Sequence, residues 1–257
     1  MFNFKKVKGD HLFRDVDDET RSQVVEKIIE ASTPRKSFFV MVAVSSLVCT
    51  AGLLMESVAL IIGAMLVVPM LSAILSVSLG MVVRNAKLFF RSILVVLKSF
   101  LLLFVAAFGM AIFFDMPQLF SYEFLLKTNF KLELFIVALV VGFAASLSFI
   151  RKELSQYVTG TAIAVTLLPP ISASAIALRM GHQEYFLSAL WIFFINFIGI
   201  VFSSMAVFIV TKFHHSEKIV ARELAQEAKF LDKLTRKERM HKWIMEGFSL
   251  VKNFIKR

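Results

Sequence analysis

Long uncharged apolar runs alternate along this chain with short charged interruptions, and the run lengths are those a bilayer imposes. A membrane-spanning helix needs about 20 mostly apolar residues. Six segments meet or approach that length: Phe38–Met55, Ser57–Val83, Ser92–Phe114, Leu134–Ile150, Val158–Leu178 and Tyr185–Val210. The fourth is at the short limit and the second is unusually long. The pattern predicts an all-α integral membrane protein with six transmembrane helices. It divides the chain into a cytoplasmic amphipathic N-terminal segment (1–37), a transmembrane domain (38–210) and a basic cytoplasmic helical tail (211–257).

The charges between the runs give an orientation. Arg35 and Lys36 precede the first span, and Arg84, Lys87 and Arg91 separate the second from the third. Arg151 and Lys152 lie between the fourth and fifth, and Lys212 and Lys218 follow the sixth. On the opposite side Lys127, Lys131 and Arg179 are diluted by Asp115, Glu123 and Glu184. Basic residues gather in cytoplasmic loops, so both termini are expected in the cytoplasm, with the chain in a bacterial inner membrane. Lys98, inside the third span, lies near its cytoplasmic end and is expected to snorkel to the headgroups.

Composition agrees with this reading. The chain is 58% hydrophobic and only 19% charged, with the charge concentrated at its ends. A charge at the bilayer centre costs roughly 3 kcal/mol or more. The net charge of +10 fits the positive-inside bias and anionic lipid better than nucleic acid, for which no recognition motif is visible. The single Cys49 leaves no disulfide framework and no Cys-rich metal site. The start, MFNFKKVKGDHLFRDVDDET, has no apolar core of the signal-peptide kind, so no cleaved leader is expected.

Two spans carry proline near their middle: SVALIIGAMLVVPMLSAI (57–74) with Pro69, and YVTGTAIAVTLLPPISAS (157–174) with Pro169 and Pro170. Proline removes an amide donor and clashes with the preceding turn. In hydrocarbon the freed carbonyls are tolerated only where protein, hydroxyl side chains or water satisfies them. Suitable residues surround both sites: Ser72, Ser76 and Ser78 in one, Thr159, Thr161, Thr166, Ser172 and Ser174 in the other. Gly63, Ala64, Gly160, Ala162 and Ala164 allow close backbone approach. At an offset of one hundred residues Val58 matches Val158, Ala64 matches Ala164, Pro69 matches Pro169 and Ser72–Ala73 match Ser172–Ala173. The two segments run in opposite directions through the membrane, so a three-plus-three duplication would give inverted repeats with proline-broken middle helices, the plan of many transporters.

The stretches SVALIIGAMLVVPM, TGTAIAVTLLPPISASAIAL and NFIGIVFSSMAVF resemble a widespread prokaryotic membrane family, domain of unknown function 389, over about residues 30 to 210. The resemblance implies a fold more than an activity. It departs from the family pattern near Glu56, after Ser57 and over Leu71 to Ala73.

Other polar residues add candidates. Glu56, at the external link beside the first motif, either lines a cation entrance or is a solvated loop carboxylate. Asn196, deep in the sixth span, either joins helices or contacts solute. His182 and the adjacent His214–His215 offer at most a weak metal site, and none is expected. No span holds an Asp or Glu at mid-depth, which argues against a carboxylate proton relay. The nucleotide, zinc and nucleophile-elbow motifs are missing too, so no enzyme and no cofactor is expected. The segment 212–257 holds 12 Lys and Arg against 6 Asp and Glu, with apolar residues at helical spacing. It suits anionic lipid, a partner protein, or self-association into a homo-oligomer. The segment from Asp17 to Ser32 reads as a short amphipathic helix able to pack on that tail.

Together these residues point to a channel or transporter whose pathway is lined by the broken second and fifth helices. The alternative is a membrane-anchored scaffold acting through its cytoplasmic helices.

Overall fold

The computed structural model describes Val16, residues 18–113, 132–151, 161–230 and Asp232. Every regular element among them is helical. In chain order these are α1 (Asp18–Ala31), α2 (Lys36–Leu54), α3 (Val58–Val67), α4 (Met70–Val82), α5 (Ala86–Phe113), α6 (Leu132–Ile150), α7 (Thr161–Arg179) and α8 (Gln183–Val210). A short 3-10 turn, Phe213–His215, follows, and then α9 over 217–230. The stretches 114–131, 152–160 and 233–257 lie outside the described residues, and with them most of the expected tail helix.

Helices α2, α5, α6 and α8 are each long and apolar enough to cross a membrane, and α3 with α4 makes a fifth if that bent pair is one span. A further apolar stretch, Leu167–Arg179, lies in α7. Helix α5 begins earlier than its apolar run, since Lys87 and Arg91 are taken into its first turns. The outward faces of these helices are apolar: Phe90, Leu94, Leu97, Leu101 and Val105 on α5, and Trp191, Phe194, Ile198 and Phe202 on α8. Contiguous apolar surface of this extent requires a nonaqueous neighbour. The protein is a multi-pass membrane protein.

Three connections are tight turns of one construction. After α2, the Ser57 amide donates to the Gly52 carbonyl at 2.8 Å and the Glu56 amide to Leu53 at 3.3 Å, with Glu56 left-handed at φ 52°. After α4, Asn85 bonds back to Gly80 at 3.0 Å and Arg84 to Met81 at 3.2 Å, with Arg84 at φ 56°. After α7, His182 bonds to Ala177 at 3.0 Å and Gly181 to Leu178 at 3.1 Å, with Gly181 at φ 78°. Each is a Schellman stop, which satisfies helix-end carbonyls and favours glycine at the left-handed position. Only the third uses one.

Pro69 breaks its span as its chemistry requires. Val68, pushed to extended geometry (φ −73°, ψ 123°) by the following proline, ends α3, and α4 departs at 52° to it. The corresponding break expected at Pro169 and Pro170 does not form. Helix α7 runs through both prolines without interruption. Those prolines withhold two amide donors, but α7 is packed between α2, α3, α5 and α8. Leu167 to Pro169 and Ile171 to Ala177 are buried there, so neighbouring helices fix its course where local propensity alone would bend it.

Two apolar clusters organise the bundle. The larger joins α2, α3, α4, α5, α6, α7 and α8 through residues such as Cys49, Met65, Ile74, Leu103, Ile171 and Phe193. The second sits at one end of the bundle. There Val24, Val25, Ile28 and Ile29 of α1 pack with Leu79, Leu88, Ile150, Phe208 and Phe213, and with Val220 and Leu224 of α9. The amphipathic α1 thus covers the helix ends as well as sharing its cluster with α9.

Candidate functional site

The most buried part of the bundle is built by α4 and α7, the two proline-bearing helices, with α8 beside them. Every residue of α4 from Ser72 to Gly80 is buried. Small residues also draw α6 and α8 together. The Cβ of an alanine at Gly142 would lie 2.2 Å from Ser203 Oγ and 2.7 Å from Ile200 Cα, and one at Gly199 would lie 2.7 Å from Ala138 Cβ. Backbones of α6 and α8 therefore meet closely, in the manner of small-residue membrane interfaces.

Hydroxyls in this region serve two purposes. Many donate to a carbonyl one turn back, as do Thr50 to Ser46 (2.8 Å), Ser146 to Gly142 (2.8 Å) and Ser174 to Ile171 (2.7 Å). This satisfies a buried donor without a second helix. Others tie helices together: Ser46 donates to the Leu103 carbonyl at 2.6 Å, Ser78 to Val201 at 3.2 Å and Ser204 to Gly142 at 3.4 Å.

The residues proposed from sequence are distributed as follows. Pro69 stands at the break, and Ser72 donates to its carbonyl at 3.1 Å. As the cap residue of α4, Pro69 offers no side-chain acceptor to the amides of the first turn. Gly63 lies on α3 with no atom within 4 Å of an added Cβ. Ser76 is turned toward α1, where Ser32 donates to it at 3.2 Å. Ser172 is fully buried and faces the Cys49 thiol across the α2–α7 contact. Its hydroxyl has no nitrogen or oxygen partner. Asn196 is buried in α8, and Glu56 is exposed on its turn. Thr161 and Thr166 lie on the helical backbone of α7, whereas Thr159 and Gly160 fall outside the described residues. Ser72, Ser172 and Asn196 are thus buried on the three central helices, while Glu56 is peripheral and Ser76 belongs to the α1 contact. Among the described residues no three His, Cys, Asp or Glu side chains gather as a metal site.

One polar cluster goes beyond this set. Arg91 of α5 forms a two-pronged ion pair with Glu227 of α9, one prong at 2.6 Å. Thr33, between α1 and α2, donates to the same carboxylate. Glu227 is easy to read as one acid of a mixed-charge surface. The signal against that reading is its place in α9: with Val220 and Leu224 it completes an i, i+4, i+7 stripe, so it lies on the apolar face.

A family model described as Domain of unknown function (DUF389) matches residues 65–202. The chain belongs to this family. The DUF389 match begins at the end of α3 and runs into α8, so it contains the Pro69 break, both α7 prolines and Asn196, and leaves out Glu56, α1 and α9. An uncharacterized protein of Methanocaldococcus jannaschii is 31% identical over 177 residues, which is 67% of this chain and 53% of that relative. The chain spans about half the length of the curated relative it matches. No solved structure matches it.

Proposed function

We propose that this DUF389 protein is a channel or transporter for a small neutral solute or an ion, its pathway running beside the Pro69 break. The break itself carries the reading. It interrupts a membrane span between the exposed Leu66 and Val67 and the buried start of α4, and interrupted backbone at membrane depth persists only against protein or a wet cavity. It ends on α4 amides that Pro69 cannot cap, and a half-helix start of this kind attracts partial negative charge. Ser72, Ser172 and Asn196 supply neutral polar groups buried on α4, α7 and α8. The reading is of a non-enzyme in a bacterial inner membrane, with six spans and both termini cytoplasmic.

The helix plan supports two inverted three-helix halves. Helices α2 and α6 each have 19 residues, and α5 and α8 each have 28. The left-handed Arg84 and Gly181 stand two residues before those long helices. Packing pairs exchange as well: α2–α5 with α6–α8, α4–α5 with α7–α8, α2–α3 with α6–α7, and α5–α7 with α8–α4. The α2–α7 contact has no counterpart of like extent among the described residues.

Proteoliposome flux tests the proposal, with stopped-flow shrinkage for small polyols and urea and tracer exchange for ions. Wild type is expected to pass at least one probe faster than empty vesicles, and Ser172→Leu and Pro69→Leu to reduce that rate about tenfold or more. Folded wild-type protein that passes none, combined with loss of phenotype on deleting 212–257, would favour the scaffold reading instead.

A further inference from the structure

Helix α9 is amphipathic, and a helix of that pattern at a bundle's end would rest there through apolar contacts alone. Val220 and Leu224 do so, but the third position of the stripe is a carboxylate. Only 9% of the Glu227 side chain and 24% of the Arg91 side chain are exposed. A buried pair of this kind is held by geometry and by satisfaction of its remaining lone pairs. Thr33 supplies one such bond, its single hydroxyl proton shared between Glu227 and the Ile29 carbonyl of α1 at 2.9 Å. One carboxylate therefore connects three segments: α9, the α1–α2 link and the first turns of α5. Two weaker contacts run alongside, with Arg35 over the Phe230 ring at 5.7 Å and Lys27 over Phe149 at 5.0 Å. Beneath them, Ser32 bonds to Ser76 of the central helix α4.

We propose that α9 is a latch on the bundle, locked by Glu227 on Arg91 and Thr33, and that its release frees α1 at the same time and uncovers α4 at Ser76. The latch joins a cation inside the family-matched range to an acid outside it. The proposal stands independently of what, if anything, crosses the membrane. Loss of Glu227 leaves Arg91 part-buried without its partner and removes the bond that ties Thr33 to α9. Both segments should then open as one unit, as coupled elements do in native-state exchange.

The experiment uses the full chain in nanodiscs. Amide exchange is followed over 18–31 and 217–230, and thiol labelling at Ser76→Cys in a Cys49→Ser background by a water-soluble maleimide. In Glu227→Gln, exchange in both segments and labelling at position 76 should rise about tenfold or more. The charge swap Arg91→Glu with Glu227→Arg should return both to within about threefold of wild type. Faster exchange in 217–230 without change in 18–31 would overturn the coupling. Unchanged labelling in Glu227→Gln, or no recovery in the charge swap, would overturn the lock. Should Glu227→Gln fail to fold, Glu227→Asp, which keeps the charge but shortens the reach to Thr33, should give a smaller rise in both segments. No rise there would equally count against the latch.

Discussion

The α6–α8 contact makes a quantitative prediction about two glycines. At Gly142 a single methyl group would sit 2.2 Å from Ser203 Oγ, 2.7 Å from Ile200 Cα and 2.8 Å from Ile200 O. The serine can rotate away, but the Ile200 backbone cannot. Ordinary carbon contacts are about 3.5 Å or longer, so the helices must part by roughly 0.8 Å. A gap of that size forfeits about a quarter to a half of each contact along the seam, and overpacking of this kind costs about 1–3 kcal/mol. Separation also lengthens the Ser204 bond to the Gly142 carbonyl, already 3.4 Å. Alanine regains about 0.5–1 kcal/mol of helix propensity. Gly142→Ala should therefore lose about 1–2 kcal/mol net. Gly63→Ala is the matched control. The added methyl meets nothing within 4 Å, so only the gain of about 0.5–1 kcal/mol remains. Reversible unfolding in mixed micelles titrated with SDS, followed by circular dichroism, measures both. A Gly142→Ala variant as stable as wild type, or a Gly63→Ala variant that loses as much, would refute the close-approach argument.

Further predictions concern turns, hydroxyls and topology. Replacing the left-handed Glu56 (φ 52°) with glycine should stabilise by about 0.5–1 kcal/mol, whereas Gly181→Ala (φ 78°) should destabilise by about 1 kcal/mol in the same titration. Ser46→Ala and Ser78→Ala each remove one interhelical bond and should cost about 0.6 kcal/mol apiece. They join different helix pairs, so the double variant should show nearly additive losses. In a Cys49→Ser background, cysteines at Arg84 and Lys218 should label from one side of sealed vesicles, and those at Glu56 and Gly181 only from the other. A mixed result would remove the six-span arrangement.

Much of the fold is legible in the amino-acid pattern because the bilayer sorts residues so strongly. Run length and the charges at Arg35, Arg84, Arg151 and Lys212 locate most helix ends to within a few residues, though α5 begins well ahead of Ser92, at Ala86, and Pro69 marks a true break. Pro169 and Pro170 look like a stronger break and are none, since the course of α7 is set by four surrounding helices that proline chemistry does not encode. The turns at Glu56 and Arg84 were hidden for another reason: the left-handed position usually announces itself by glycine, and here charged residues occupy it. Within the candidate site, Ser172 and Asn196 are buried as their apolar neighbourhoods imply. Ser76 is drawn toward α1 by a partner 44 positions away, which no local pattern contains. Glu227 was readable only as an anomaly, an acid on the wrong face of its helix.

The paired helix lengths have a mechanical consequence. At 1.5 Å per residue the 19-residue helices α2 and α6 reach about 28 Å, and the 28-residue helices α5 and α8 about 42 Å. A hydrocarbon layer of about 30 Å matches the first pair and not the second. The long helices must lean or stand proud of the lipid, and each packs along a short one whose length already fits the layer. Changing the acyl-chain length of the host lipid thus applies opposing loads to two partners in contact. Bilayer thickness becomes a force on the α2–α5 and α6–α8 seams, felt most where Gly142 and Gly199 leave the least room to slide.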